Sequence, residues 1–204
     1  MAGIIGTKVG MTQVFREDGT AVPVTVIEAG PCPVTAVRDP ERDGYAAVQL
    51  AHGETDGDRL SKAELGHLRK ADAGAMRTLI EFRDEGEHQV GDVVTVEAFE
   101  PGQKVKVSGV SVGKGFQGTI RRHNFRRGPV THGSHNVRAP GSIGASADPA
   151  RVFKGTRLPG RMGGRRVTQR RSEVVEIDAD RNLLLVKGSV PGPRNGTVEV
   201  RSDG

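Results

Sequence analysis

Apolar and polar positions in the first fifty residues alternate in short runs broken by turn residues, the pattern of strands buried on one face. The run from Ile4 through Val9 and Met11 to Phe15 ends at Asp18-Gly19, a hairpin dipeptide. Val22 to Ile27 follows, and Pro23 predicts an edge strand, because proline cannot donate to a ladder. Val34 to Val37 and Tyr45 to Leu50 read as another pair, split by Pro40 to Gly44. The period then changes. Ser61-Lys62-Ala63-Glu64 fits a capping box, and Leu65, Leu68 and Arg69 follow at helical spacing, which predicts a short helix within 61–73. Met76 to Phe82, Val93 to Val96, Val105 to Val110, Glu173 to Ile177, Leu183 to Val186 and Thr197 to Val200 read as strands, with a hairpin at Asp178 to Asn182. The expected fold is mainly β with minor α, its body a small barrel or sandwich.

Residues 119–166 break this pattern. Their large apolar side chains (Ile120, Phe125, Ile143, Val152, Phe153, Leu158 and Met162 among them) are few and follow no period. Such a segment cannot bury enough surface to fold alone. Strands precede and follow it, so it reads as an insertion within one domain. The expected organisation is a body of 1–118 and 167–204, with a small α/β insertion near 55–90, and a long, irregular loop at 119–166. Loops of this length in compact proteins are functional or disordered.

Composition narrows the picture. Of 204 residues, 29 are Gly and 11 Pro, and aromatics make up 3% with no Trp, so the core must be small and aliphatic. No apolar run approaches the roughly 18 residues of a membrane span. The opening Met-Ala-Gly-Ile-Ile-Gly lacks the basic and then apolar run of a secretory signal. Cys32 is the one cysteine, which excludes an intramolecular disulfide and a cysteine-based metal finger. A cytosolic protein is expected.

Charge adds the partner. The net +5 hides an asymmetry: residues 101–172 carry sixteen Lys/Arg and one acid, Asp148, while the rest carries fourteen basic and twenty-four acidic residues. A block of one sign repels itself until a polyanion neutralises it. Gly and Pro are too frequent there for an amphipathic membrane helix. Nucleic acid is the expected partner.

Motif by motif, chemistry recedes and binding remains. Gly113-Lys114-Gly115-Phe116-Gln117-Gly118 matches GxGxxG, but Arg121-Arg122-His123-Asn124 follows and the acid a dinucleotide site needs is missing. No Gly-Lys-Ser/Thr closes a Walker loop. A flexible turn that brings backbone close to a phosphate strand, with Lys114 beside it, is the better reading. His132-x-x-His135 lacks further ligands for zinc. Ser134 beside His135 lacks an orienting carboxylate. No catalytic residue, metal or cofactor is expected. The arginines dominate instead, and Lys154 is the one lysine of 119–166. Guanidinium forks bind phosphate bidentately and stack on bases. The candidate RNA-binding residues are Lys114, Arg121, Arg122, His123, Asn124, Arg126, Arg127, His132, His135, Arg138, Arg151, Lys154, Arg157, Arg161, Arg165 and Arg166. A DNA-binding architectural protein with a basic arm is a rival, but no helix-turn-helix or dimer heptad is visible. An RNA-modifying enzyme is another, without a catalytic constellation to support it.

Several separated motifs also occur in one order. They are Gly3-Ile4-Ile5-Gly6-Thr7-Lys8-Val9-Gly10-Met11-Thr12-Gln13 and Ser111-Val112-Gly113-Lys114-Gly115-Phe116-Gln117-Gly118, with Arg122 beyond. Pro140-Gly141-Ser142-Ile143-Gly144, Arg151-Val152-Phe153-Lys154-Gly155 and Asn182-Leu183-Leu184-Leu185-Val186-Lys187-Gly188 follow. By these the chain resembles, over essentially its whole length, the universal large-subunit ribosomal protein three family in its bacterial form. The resemblance implies a translation-factor-like β-barrel body and an extension, here 119–166, that threads large-subunit ribosomal RNA towards the peptidyl transferase centre. It implies binding near the 3′ end of that RNA, a part in early subunit assembly, neighbouring large-subunit proteins as partners, and no membrane or small-molecule substrate. Three positions depart from the family pattern. Gly160-Arg161-Met162-Gly163 carries Arg161 where many members have a methylated glutamine, which implies that the modification is absent here. His123 stands in place of a common tryptophan, and Lys106 in place of Asp or Asn.

Overall fold

The computed structural model describes residues 3–83, 86 and 88–203. In chain order the elements are β1 (Gly3–Phe15), β2 (Ala21–Ala29), β3 (Cys32–Arg38), α1 (Pro40–Asp43), β4 (Ala47–Glu54), α2 (Lys62–Lys70), β5 (Met76–Phe82), β6 (Val93–Val94) and β7 (Lys104–Val110). After them come β8 (Phe116–Gln117), α3 (Thr119–His123), β9 (Gly160–Arg161), β10 (Arg166–Asp178), β11 (Leu183–Lys187) and β12 (Thr197–Ser202). The chain divides into two compact units, Met1–Ser111 with Arg166–Gly204, and Val112–Arg165.

The first unit is mainly β, as its alternation predicts. Six antiparallel strands close a barrel in the order β1-β12-β7-β10-β11-β2. Ile4 pairs with Val200, and Val200 with Val107, so one row of aliphatic side chains crosses three strands into the barrel. Val105, Val174, Leu184, Val186 and Val198 join it, all at most 1% exposed. Ile5 points the other way, as adjacent strand residues must, yet is also 0% exposed. Its carbonyl accepts from the Cys32 thiol at 3.3 Å, at the start of the second sheet. That sheet runs β5-β4-β3-β6. It buries Val34, Leu50 and Phe82 in the same core. β1 is thus covered on both faces, which is why both isoleucines of its opening are apolar.

Turn and cap chemistry behave as the sequence predicts. Asp18 and Gly19 lie in the turn joining β1 and β2, with Gly19 at φ +80°. Ser61 caps α2, its side chain accepting from the Glu64 backbone N–H while the Glu64 carboxylate accepts from that of Ser61. Other expectations are corrected. Pro23 does not mark an edge: β2 lies between β1 and β11. Its carbonyl accepts from the Gly188 N–H just past the end of β11, so the missing proline donor faces beyond the last ladder pair, Val24 with Lys187. The strand expected at Val93 to Val96 stops at Val94, and a 3-10 turn, Val96–Ala98, follows. β10 begins seven residues before Glu173. Its first half, Arg166 to Arg171, is exposed and carries no apolar alternation, so only its pairing with β7 makes it a strand. Among the described residues no helix is long and apolar enough to cross a membrane.

Candidate nucleic-acid interface

Residues 112–165 carry eleven Lys/Arg and one acid, for a net charge of +10. Within this unit one residue, Thr119, is buried. A segment with so little core is held by hydrogen bonds and glycine-dependent contacts. Lys114 N–H donates to Met162 O and Met162 N–H to Gly115 O, both at 2.9 Å. This ladder continues as β8 against β9, with Phe116 opposite Arg161 and Gln117 opposite Gly160. Gly163 makes the close approach possible: it sits at φ +69°, and a Cβ there would lie 2.0 Å from Val112 O. The GxGxxG stretch is therefore one strand of a ladder rather than a flexible turn, and the Lys114 amide is already engaged. A helix does open after it, but α3 spans five residues and ends at Asn124, which adopts φ +60°.

Two of the predicted binding residues are turned inward. The Arg122 guanidinium donates to Leu158 O at 2.6 Å, and His123 Nε2 lies 3.1 Å from the same carbonyl, a contact that requires the Nε2–H form. The His123 ring also packs 6.1 Å from that of Phe125. Both residues are half-buried. They close the segment on itself by joining α3 to the residues before β9. Beyond α3, Gly128 N–H donates to Val137 O at 2.9 Å, closing a loop that presents His132 and His135 outward.

The remaining candidates are splayed into solvent. Lys114, Arg121, Asn124, Arg126, Arg127, His132, His135, Arg138, Arg151, Lys154, Arg157, Arg161, Arg165 and Arg166 are all exposed. Among the described residues, Arg121, Arg126, Arg127, Arg138, Arg157 and Arg161 make no ion pair. The physical reason is local, since the unit offers one carboxylate, Asp148, to eleven cations. Arg166, at the start of β10 in the first unit, differs: it pairs with Glu199. Arg170 lies 3.9 Å from Asp203, and Lys106 lies 4.0 Å from the same carboxylate. Among the described residues no three His, Cys, Asp or Glu side chains converge as metal ligands. The sequence-based set omits two exposed rings of this unit, Phe116 and Phe153. The available signal is an aromatic residue flanked by glycine and basic residues, in a segment with no apolar pattern to pack it.

A dense field of unpaired guanidinium groups on a segment without a core suits phosphate, which accepts from the planar fork in two bonds. A family model described as Ribosomal protein L3 matches residues 47–182. The large ribosomal subunit protein uL3 of Thermosynechococcus vestitus is 51% identical over 200 residues, covering 97% of this chain and 94% of that protein. Its counterpart in Acidothermus cellulolyticus is 55% identical over 203 residues, covering 98% and 91%. That of Pelobacter propionicus is 53% identical over 202 residues, covering 98% and 97%. These relatives are ribosomal proteins rather than enzymes. With a barrel body, an arginine-rich second unit and half-identical relatives along nearly its whole length, the chain belongs to the ribosomal protein L3 family.

Proposed function

We propose that this protein is a structural constituent of the large ribosomal subunit that binds large-subunit ribosomal RNA through residues 112–165 and performs no chemistry itself. The observation that carries this reading is the exposure, without ion-pair partners, of most arginines in a unit of net charge +10. Such a unit repels itself in isolation and is stabilised when phosphates replace water around it. Its counterpart is the body, whose apolar core lies wholly in the first unit and needs no RNA to form. By likeness to the family, the RNA contacted lies near the 3′ end of the large-subunit RNA. By the same likeness the protein acts early in assembly, and the second unit supports the peptidyl transferase region beside neighbouring ribosomal proteins in the cytoplasm.

Crosslinking in cells, followed by sequencing of the recovered RNA, tests this. The expected outcome is enrichment of large-subunit ribosomal RNA at a few discrete sites, lost on deletion of 112–165. Diffuse recovery of many RNAs, or of DNA, would overturn it. In solution, about eight phosphate contacts give a slope of log K against log[salt] near −6 to −7, and a slope shallower than about −2 contradicts the mechanism.

A further inference from the structure

We propose that Phe116 and Phe153 are base-stacking positions, each taking one unpaired nucleobase on its ring while a neighbouring arginine bonds an adjoining phosphate; this rests on the RNA-binding reading above. Phe116 is 77% exposed and Phe153 57%, although each ring would gain by leaving water. The third phenylalanine of the unit, Phe125, is half-buried against His123, so exposure is not the general fate of aromatics here.

The surroundings of the two rings agree in three respects. Each has an arginine beside it. Phe116 is directly opposite Arg161 in the β8–β9 ladder, and directly opposed residues project on the same face. The Arg151 guanidinium carbon lies over one face of the Phe153 ring, 5.7 Å from its centre, so the opposite face is the one assigned to a base. The glycines near each ring themselves stand in open space. A Cβ placed on Gly115 or Gly118 beside Phe116, or on Gly155 beyond Phe153, meets nothing within 4 Å. Finally, both rings stand in the arginine-rich unit. Its charge selects a polyanion, and a phenyl ring reaches the face of a base in an intact duplex only by prying a step apart. Unpaired RNA, with bases free to leave the stack, satisfies ring and guanidinium together. A protein partner would call for a contiguous apolar centre, whereas Gly115, Gln117 and Arg161 border Phe116, and Phe153 has Lys154 and Arg151 near it with one apolar residue, Val152, beside it in the chain.

The test uses the full-length protein, transcribed large-subunit ribosomal RNA and single variants at each ring. Phe116→Ala and Phe153→Ala are each expected to weaken binding about tenfold at fixed salt, within a range of roughly fivefold to a hundredfold. The slope of log K against log[salt] stays unchanged, since no charge is removed. Phe→Leu keeps apolar area but not a π face and is expected to stay weak, while Phe→Trp restores affinity. Ultraviolet crosslinks from each ring should map to unpaired nucleotides. Circular dichroism should be the same for all variants. Wild-type affinity in the Ala or Leu variants would overturn the stacking role while leaving RNA binding intact. Absence of binding by the wild-type protein would overturn the RNA-binding reading and this inference with it.

Discussion

At the scale of single residues, position decides between internal and external use of the same chemistry. Arg122 and His123 spend their donors on one carbonyl, whereas Arg121 between Thr119 and Asn124 stays in solvent. In the body, His52 is 8% exposed, its Nε2 3.2 Å from Thr7 Oγ1 and its Nδ1 3.9 Å from Cys32 Sγ. Burial pulls its pKa below the ordinary 6.5, partly offset by Glu28. The unfolded chain then binds the proton more strongly, so stability falls as pH drops through 6.5 and below. Urea unfolding at pH 7 and pH 5.5 should show this loss, and His52→Gln should reduce it. Burial pushes the Cys32 thiol from 9.0 up to about 11. Its contribution is therefore complete below pH 9 and lost as pH rises towards 11. At pH 8 an alkylating reagent should label Cys32 only after denaturant is added. Gly163→Ala sets a Cβ against Val112 O at positive φ. It should open the 112–163 ladder, seen as faster proteolysis within 112–165 at unchanged body stability.

At the scale of elements, local signals and tertiary pairing divide the work. The capping box of α2 satisfies two helix donors at once, and Leu68 anchors the helix in the core. Ser61→Ala should lower stability by about 1 kcal/mol, measured by urea unfolding. β10 is the opposite case. Its second half buries Val174, but its first half shows nothing apolar to the core and is a strand because Arg166 to Gln169 pair with Val110 to Val107. The register shifts between Gln169 and Ser172, where Arg171 takes φ +55°. A bulge of this kind bends the strand and increases its local twist.

At the scale of the whole molecule, the insertion point is the informative feature. Val110 and Arg166 are ladder partners, so the chain leaves and re-enters the barrel at adjacent positions. The first unit can therefore close without the second. Replacing 112–165 by a short Gly-Ser turn should leave one cooperative unfolding transition for the body. The same variant should lose high-affinity RNA binding, its salt slope falling to shallower than about −2. Loss of body folding on this replacement would show that the insertion is structural.

Much of this was legible in the chain itself. The alternation of β7, β11 and β12, the Asp18-Gly19 turn and the Ser61 cap are local, because period, turn conformation and capping depend on neighbours within four residues. The charge asymmetry of 101–172 needs only counting. Tertiary structure alone decided the rest. It chose barrel closure over a sandwich, since that depends on β1 meeting both β2 and β12, far apart in sequence. It placed Pro23 inside β2, one residue beyond the end of the β2–β11 ladder, rather than on an edge. It withdrew Arg122 and His123 from the exposed set and left Phe116 and Phe153 in it, because whether a side chain finds a partner depends on residues some thirty-five positions away that sequence spacing does not encode.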